Sequence, residues 1–261
     1  MKFRRLLALL LAFGIPAQAI AAVSPVLAAR PSASAPGLPS GRTLLSNGAI
    51  AYVPPSAAKE PLPLVVLLHG AGGKAERFLD RFVADADRGG FMLLALQSKA
   101  STWDLVPRRD GGGGPLAMKS GPVMRFGADV ARIDAALADL YARVRIDARR
   151  SVLLGFSDGA SYALSLGLAN PQLFASIVAL SPGFVTIPAK VAPAQRIFIA
   201  HGRHDQILPF QVAQRDITGL LIANGLKPQF RPFDGDHRID NQALADGLAY
   251  ALGSTAPRSG L

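Results

Sequence analysis

The 261-residue chain contains no cysteine. That excludes a disulfide framework, a zinc–thiolate site, a cysteine nucleophile and a lipidated cysteine anchor. The chain has one tryptophan and four histidines, and only 18% of its residues are charged. Half of them are hydrophobic, too apolar for a disordered chain and enough to build a core. Beyond residue 23 no apolar run approaches the length of a membrane span. Acidic residues are in the minority, 18 against 28 Lys and Arg, for a formal charge of +10. The basic residues are scattered, and the densest group is Arg143, Arg145, Arg149 and Arg150. They do not gather on one helix interleaved with aromatics, so the charge reads as a soluble basic surface and no nucleic-acid partner is expected.

What the sequence does contain begins with an export signature. Lys2, Arg4 and Arg5 precede an unbroken apolar run from Leu6 to Ile15, followed by Pro16 and the small-x-small tripeptide Ala17-Gln18-Ala19. This order fits a signal peptide over 1–21, cleaved after Ala19 or Ala21, with Leu27-Ala28-Ala29 as a weaker third site. Periplasmic or extracellular location is the expectation, an uncleaved anchor the alternative. Residues 22–42 carry four prolines and several serines and read as an extended lead-in rather than packed structure.

From 43 to 252 strand and helix patterns alternate within one domain, and 253–261 reads as a loose tail. A hairpin over 43–53 turns at Ser46-Asn47-Gly48. Short apolar runs at 63–68, 91–96, 152–154, 177–180 and 197–200 suit strands buried on both faces. Helical spacing covers 74–88, with Phe78, Phe82 and Val83 on one side, and 130–144, where Val130, Ile133, Leu137, Leu140, Tyr141 and Val144 form one face. Further helices are expected near 159–169, 209–224 and 239–251, and a strand near 228–233. The implied architecture is α/β, a doubly wound, mostly parallel sheet. The one long irregular insertion, 100–125, holds Trp103 and the run Gly111 to Gly114.

In such a sheet, chemistry gathers outside the carboxyl ends of the strands. Gly155-Phe156-Ser157-Asp158-Gly159 stands between a strand and a small-residue helix, the setting of a G-x-S-x-G nucleophile. His69-Gly70-Ala71-Gly72-Gly73 follows the strand at 63–68, and a glycine-rich turn there can aim backbone N–H groups at a developing oxyanion. The donors are assigned to the amides of Ala71 and Asp158, with His69 shaping the turn and the Asp158 side chain at a helix N-terminus. His201-Gly202-Arg203-His204-Asp205 follows the next strand but one. Asp205 is the candidate acid, Asp216 lying too deep in the following helix. Of the four histidines only His237, in Gly235-Asp236-His237, lies beyond it, which makes it the candidate base. No metal-ligand spacing such as H-E-x-x-H occurs, so no metal is expected. Trp103 has two readings, a substrate contact or an anchor of the core or loop.

The four signatures in this order resemble the serine hydrolases of the α/β-hydrolase fold. The spacing is most similar to bacterial phospholipase/carboxylesterases and polyhydroxybutyrate depolymerase-like esterases. The resemblance runs from about 43 to 252 and includes Asp147-Ala148-Arg149-Arg150 and Leu180-Ser181-Pro182-Gly183. It differs at Asp236, where glycine is usual before the base. The resemblance implies Ser157 as nucleophile, Asp205 as acid, His237 as base, no cofactor, and hydrolysis of carboxylic esters through an acyl-enzyme. A polyester depolymerase or peptidase on the same residues, or a silent binding protein on this fold, are the alternatives.

Overall fold

The computed structural model describes residues 25–56, 61–105 and 126–253. The proposed signal sequence, the tetraglycine of the insertion and the tail lie outside these residues.

Eight strands form one sheet in the order β1-β2-β4-β3-β5-β6-β7-β8. β1 (Gly41–Leu44) and β2 (Ile50–Val53) are the expected hairpin, joined through a left-handed Asn47 at φ 58°. They add antiparallel to β4 (Met92–Leu96). From β4 onward all pairings are parallel, through β3 (Leu62–Leu68), β5 (Ile146–Phe156), β6 (Ser176–Leu180), β7 (Arg196–Gly202) and β8 (Gln229–Phe233). β3 and β4 are buried along their whole length, which explains their lack of polar alternation. The strand-pleat period sends Leu64, Val66 and Leu68 to one core and Val65 and Leu67 to the other.

The first core lies under α3 (Ala128–Arg143), α4 (Asp158–Ala169) and α5 (Thr218–Ala223), the last entered through a π-helical turn, Val212–Ile217. The second lies under α1 (Ala75–Asp80), α2 (Val83–Gly89) and α6 (Asn241–Leu252). The single helix expected over 74–88 is two, broken at Arg81-Phe82. The break turns Phe82 fully into the core, its ring edge-on to Phe78 at 5.1 Å. β5 is also longer than its apolar stretch, because its exposed first half, Asp147 to Arg150, carries no hydrophobic signal.

The lead-in is extended, as its prolines require, yet it is packed. Leu27 is buried in the first core, and its N–H donates to Asn170 Oδ1 at 2.8 Å. Asn170 donates back to the Pro25 carbonyl at 2.7 Å, and Asp134 Oδ1 accepts from the amides of both Ala28 and Ala29 at 2.8 Å. The expectation of an unpacked segment failed because the acceptors lie more than a hundred residues away along the chain. No described helix is long and apolar enough to cross a membrane.

Candidate active site

β3, β5, β7 and β8 run parallel, so the loops after them emerge at one edge of the sheet. These loops carry His69–Gly73, Ser157, His201–Asp205 and His237.

Ser157 occupies the tight junction between β5 and α4 at φ 56° and ψ −120°. This backbone region costs a non-glycine residue about 1–3 kcal/mol and persists only where the surroundings impose it. Here Ser157 N–H donates to the Leu180 carbonyl at 2.8 Å, and its own carbonyl accepts from Ala160 and Ser161. The flanking glycines are a steric requirement. A Cβ on Gly155 would overlap the Gly159 carbonyl, and one on Gly159 would overlap the Leu68 carbonyl of β3.

His237 Nε2 lies 2.9 Å from Ser157 Oγ, and its Nδ1 lies 2.7 Å from Asp205 Oδ2. The imidazole stacks at a tilt on Phe156, ring centroids 5.0 Å apart. Asp205 Oδ1 accepts the amides of Ile207 at 2.9 Å and Leu208 at 2.8 Å, and the carboxylate is fully buried. The three residues singled out in the sequence are thus one hydrogen-bonded row. The acids that flank His237 in sequence point elsewhere. Asp234 meets His204 at 2.8 Å on the surface and Asp236 faces Arg238 at 3.4 Å, both largely exposed. The residue in place of the usual glycine therefore brings no carboxylate to the imidazole.

Neither the Ala71 nor the Asp158 amide has a hydrogen-bond acceptor among the described residues, while the neighbouring Gly72 and Gly73 amides are used by the Ser101 and Gly70 carbonyls. His69 is buried beneath this turn, with Nδ1 on the Gly70 carbonyl at 2.7 Å and Nε2 facing the Gln97 amide at 3.2 Å. The Asp158 carboxylate accepts from Thr102 Oγ1 at 2.7 Å and so ties the start of α4 to the loop after β4.

Trp103 belongs to the frame rather than to an open wall. It is 1% exposed, its indole N–H donates to the His69 carbonyl at 2.8 Å, and its ring lies between His69 and Tyr162. Of its two sequence readings the anchor fits this burial; a substrate contact does not. Trp103→Ala is accordingly expected to cost about 3–5 kcal/mol, the range for a truncated core aromatic. Thermal denaturation should show the loss, with activity falling alike on small and bulky substrates.

Sequence reasoning missed a carboxylate pair in the same loop. Asp104 and the buried Asp129 accept each other's backbone N–H, at 2.7 and 3.2 Å, and Tyr162 donates to Asp104 at 3.3 Å. The pair joins the two ends of the insertion, and only tertiary pairing could reveal it. Burial pushes the Asp129 carboxyl above the usual carboxylate range, with Asp104 adding to the shift.

The two buried histidines shift the other way. Burial holds His69 below the usual histidine value, helped by Lys74, and burial likewise lowers His201, helped by His237. A folded value below the unfolded one means that, under pH 6.5, the unfolded chain takes up protons the folded chain refuses. Stability from this source is present above that pH and is lost as pH falls toward the folded values. Calorimetry should give a lower Tm at about pH 5.5 than at about pH 7.5.

A cavity of about 500 Å³ beside β8 and α6, lined by Phe198, Gln229, Arg231 and Asp246, includes none of these site residues. The chemistry, not the volume, marks the site.

A family model described as phospholipase/carboxylesterase matches residues 130–250. The crystal structure of esterase PE8 is 25% identical and superposes with a TM-score of 0.58, covering 80% of this chain and 98% of that one. The chain has the α/β-hydrolase fold. Among curated relatives, NocK of Nocardia uniformis subsp. tsuyamanensis, whose name carries only a provisional esterase assignment, is 31% identical over 159 residues. That match covers 59% of this chain and 43% of NocK. Esterase YpfH of Escherichia coli (strain K12) is 27% identical over 132 residues, covering 47% of this chain and 57% of YpfH. The chain thus spans about half the length of the curated relatives it matches.

Proposed function

We propose that this α/β-hydrolase is a carboxylic-ester hydrolase that works through an acyl-enzyme on Ser157. The observation that carries the reading is the row Ser157 Oγ, His237, Asp205, with both imidazole nitrogens within 2.9 Å of their partners. Asp205, acceptor-only, holds the His237 proton on Nδ1 and leaves the Nε2 lone pair facing the hydroxyl. As Oγ attacks the carbonyl carbon, Nε2 takes its proton, and the carbonyl oxygen gains the negative charge. The amides of Ala71 and Asp158 receive that oxyanion. His237 then gives the proton to the departing alcohol oxygen. Water, activated by the same nitrogen, attacks the acyl carbon and releases Ser157. The names of the relatives, esterases in each case, favour an ester over an amide as substrate.

The basic and apolar opening of the chain supports action after export, and N-terminal sequencing from the host would read the processed end near Ile20 or Ala22. A fluorophosphonate probe should label the protein, and a panel of p-nitrophenyl esters of increasing chain length should be hydrolysed. Labelling without ester turnover, or turnover of anilides alone, would replace the ester reading.

A further inference from the structure

The buried imidazole of His201 lies against the acid and takes no part in the proton path described above. It stands on β7 with its side chain wholly buried. Its Nε2 is 2.8 Å from the Leu208 carbonyl oxygen and 3.1 Å from Asp205 Oδ2. Both neighbours are acceptors, so this nitrogen carries the proton. Nδ1 is buried without a partner among the described residues, and burial keeps the ring in its neutral form. A neutral imidazole has one N–H, and the geometry directs it at the Leu208 carbonyl, with the acid's Oδ2 in contact beside it.

We infer that His201 is a positioning residue, whose Nε2–H holds the Leu208 carbonyl and, through that loop, the orientation in which the Asp205 carboxylate holds His237. The inference rests on the reading of Asp205 as the acid of a serine hydrolase. The loop closes on itself: Asp205 Oδ1 takes the Leu208 amide, and the Leu208 carbonyl returns to His201. Oδ2 takes the His237 Nδ1–H from outside, and His201 Nε2 lies against it at 3.1 Å from the strand beneath. Turning the carboxylate about its Cβ–Cγ bond breaks the His237 bond together with the two backbone bonds on Oδ1. Phe210 backs the His201 ring edge-on at 6.1 Å, and Arg203 sits over the Phe210 ring at 5.5 Å without bonding the imidazole. His204 is committed to Asp234 at the surface, which leaves His201 as the one imidazole against the strand side of the acid among the described residues.

The experiment compares wild type with His201→Phe and His201→Gln. The phenylalanine variant keeps a planar ring and loses the donor; the glutamine variant keeps an N–H. The phenylalanine variant is expected to lose about 10- to 100-fold in kcat on a p-nitrophenyl ester, the order lost when a catalytic group is misplaced by up to about 1 Å. KM should stay within about twofold, because substrate contacts are untouched. The glutamine variant should recover most of kcat at matched Tm, which a purely structural role would not produce. An unchanged kcat in a folded phenylalanine variant, or a defect that glutamine leaves in place, overturns the inference. Nitrogen-15 spectra of wild type test it without any variant: His201 must be neutral with its proton on Nε2 near neutral pH. A proton on Nδ1, or an imidazolium, overturns it even if neither variant folds. Failure of the wild type to react with the fluorophosphonate is a different result, which removes the hydrolase reading itself and this inference with it.

Discussion

Ser157→Ala is expected to lower ester-hydrolysis kcat by about 10⁶-fold and to abolish fluorophosphonate labelling, the loss seen when a serine nucleophile is removed elsewhere. The fold should survive. The backbone contacts that impose the elbow, from Ser157 N–H to Leu180 and from Ala160 and Ser161 to the Ser157 carbonyl, do not involve the hydroxyl. The clearance that the turn needs is supplied by Gly155 and Gly159 and is untouched. The hydroxyl itself is given one side-chain partner, His237 Nε2. Its loss leaves an imidazole nitrogen at the site's opening, with His237 still 15% exposed and able to meet water. Tm should therefore stay near the wild-type value while activity vanishes. Labelling of the mutant at the wild-type rate would show that another residue is the nucleophile.

The site was legible in the sequence because each of its parts sits in a short local signature. Ser157 needs glycines two residues away on either side, and those are written next to it. Asp205 follows from its place after a continuous apolar run, and His237 from being the one histidine beyond it in chain order. The strands themselves were legible where burial on both faces removed polar residues, as in β3 and β4. What escaped was held by partners distant in sequence. Nothing near Leu27 announces Asn170 and Asp134, and nothing near Trp103 announces the His69 carbonyl it binds. Asp104 and Asp129 flank an insertion, and their reciprocal caps exist only once its ends meet. His201 read as part of a turn motif, because the proton on its buried nitrogen has meaning only with Leu208 and Asp205 in place.

Asp205→Asn separates the assigned acid from its neighbours in sequence. The carboxylate accepts three hydrogen bonds: the Ile207 and Leu208 amides on Oδ1 and His237 Nδ1 on Oδ2. An asparagine cannot serve both sides. With its carbonyl toward the two backbone amides, its NH₂ faces the His237 Nδ1–H, where a donor now meets a donor. His237 must then move its proton to Nε2, pointing it at Ser157 Oγ, and the nitrogen can no longer accept the hydroxyl proton. With the amide reversed, the NH₂ faces two buried N–H groups instead, which costs stability. Either way kcat should fall by about 10⁴, the loss that follows when a triad aspartate on another fold becomes asparagine. Asp236→Asn and Asp234→Asn should leave kcat within about twofold, since both side chains are exposed and neither bonds the imidazole. Parallel kcat measurements on the three variants decide the matter. A crippled Asp236→Asn beside a mild Asp205→Asn would move the acid out of the buried loop and onto the surface turn.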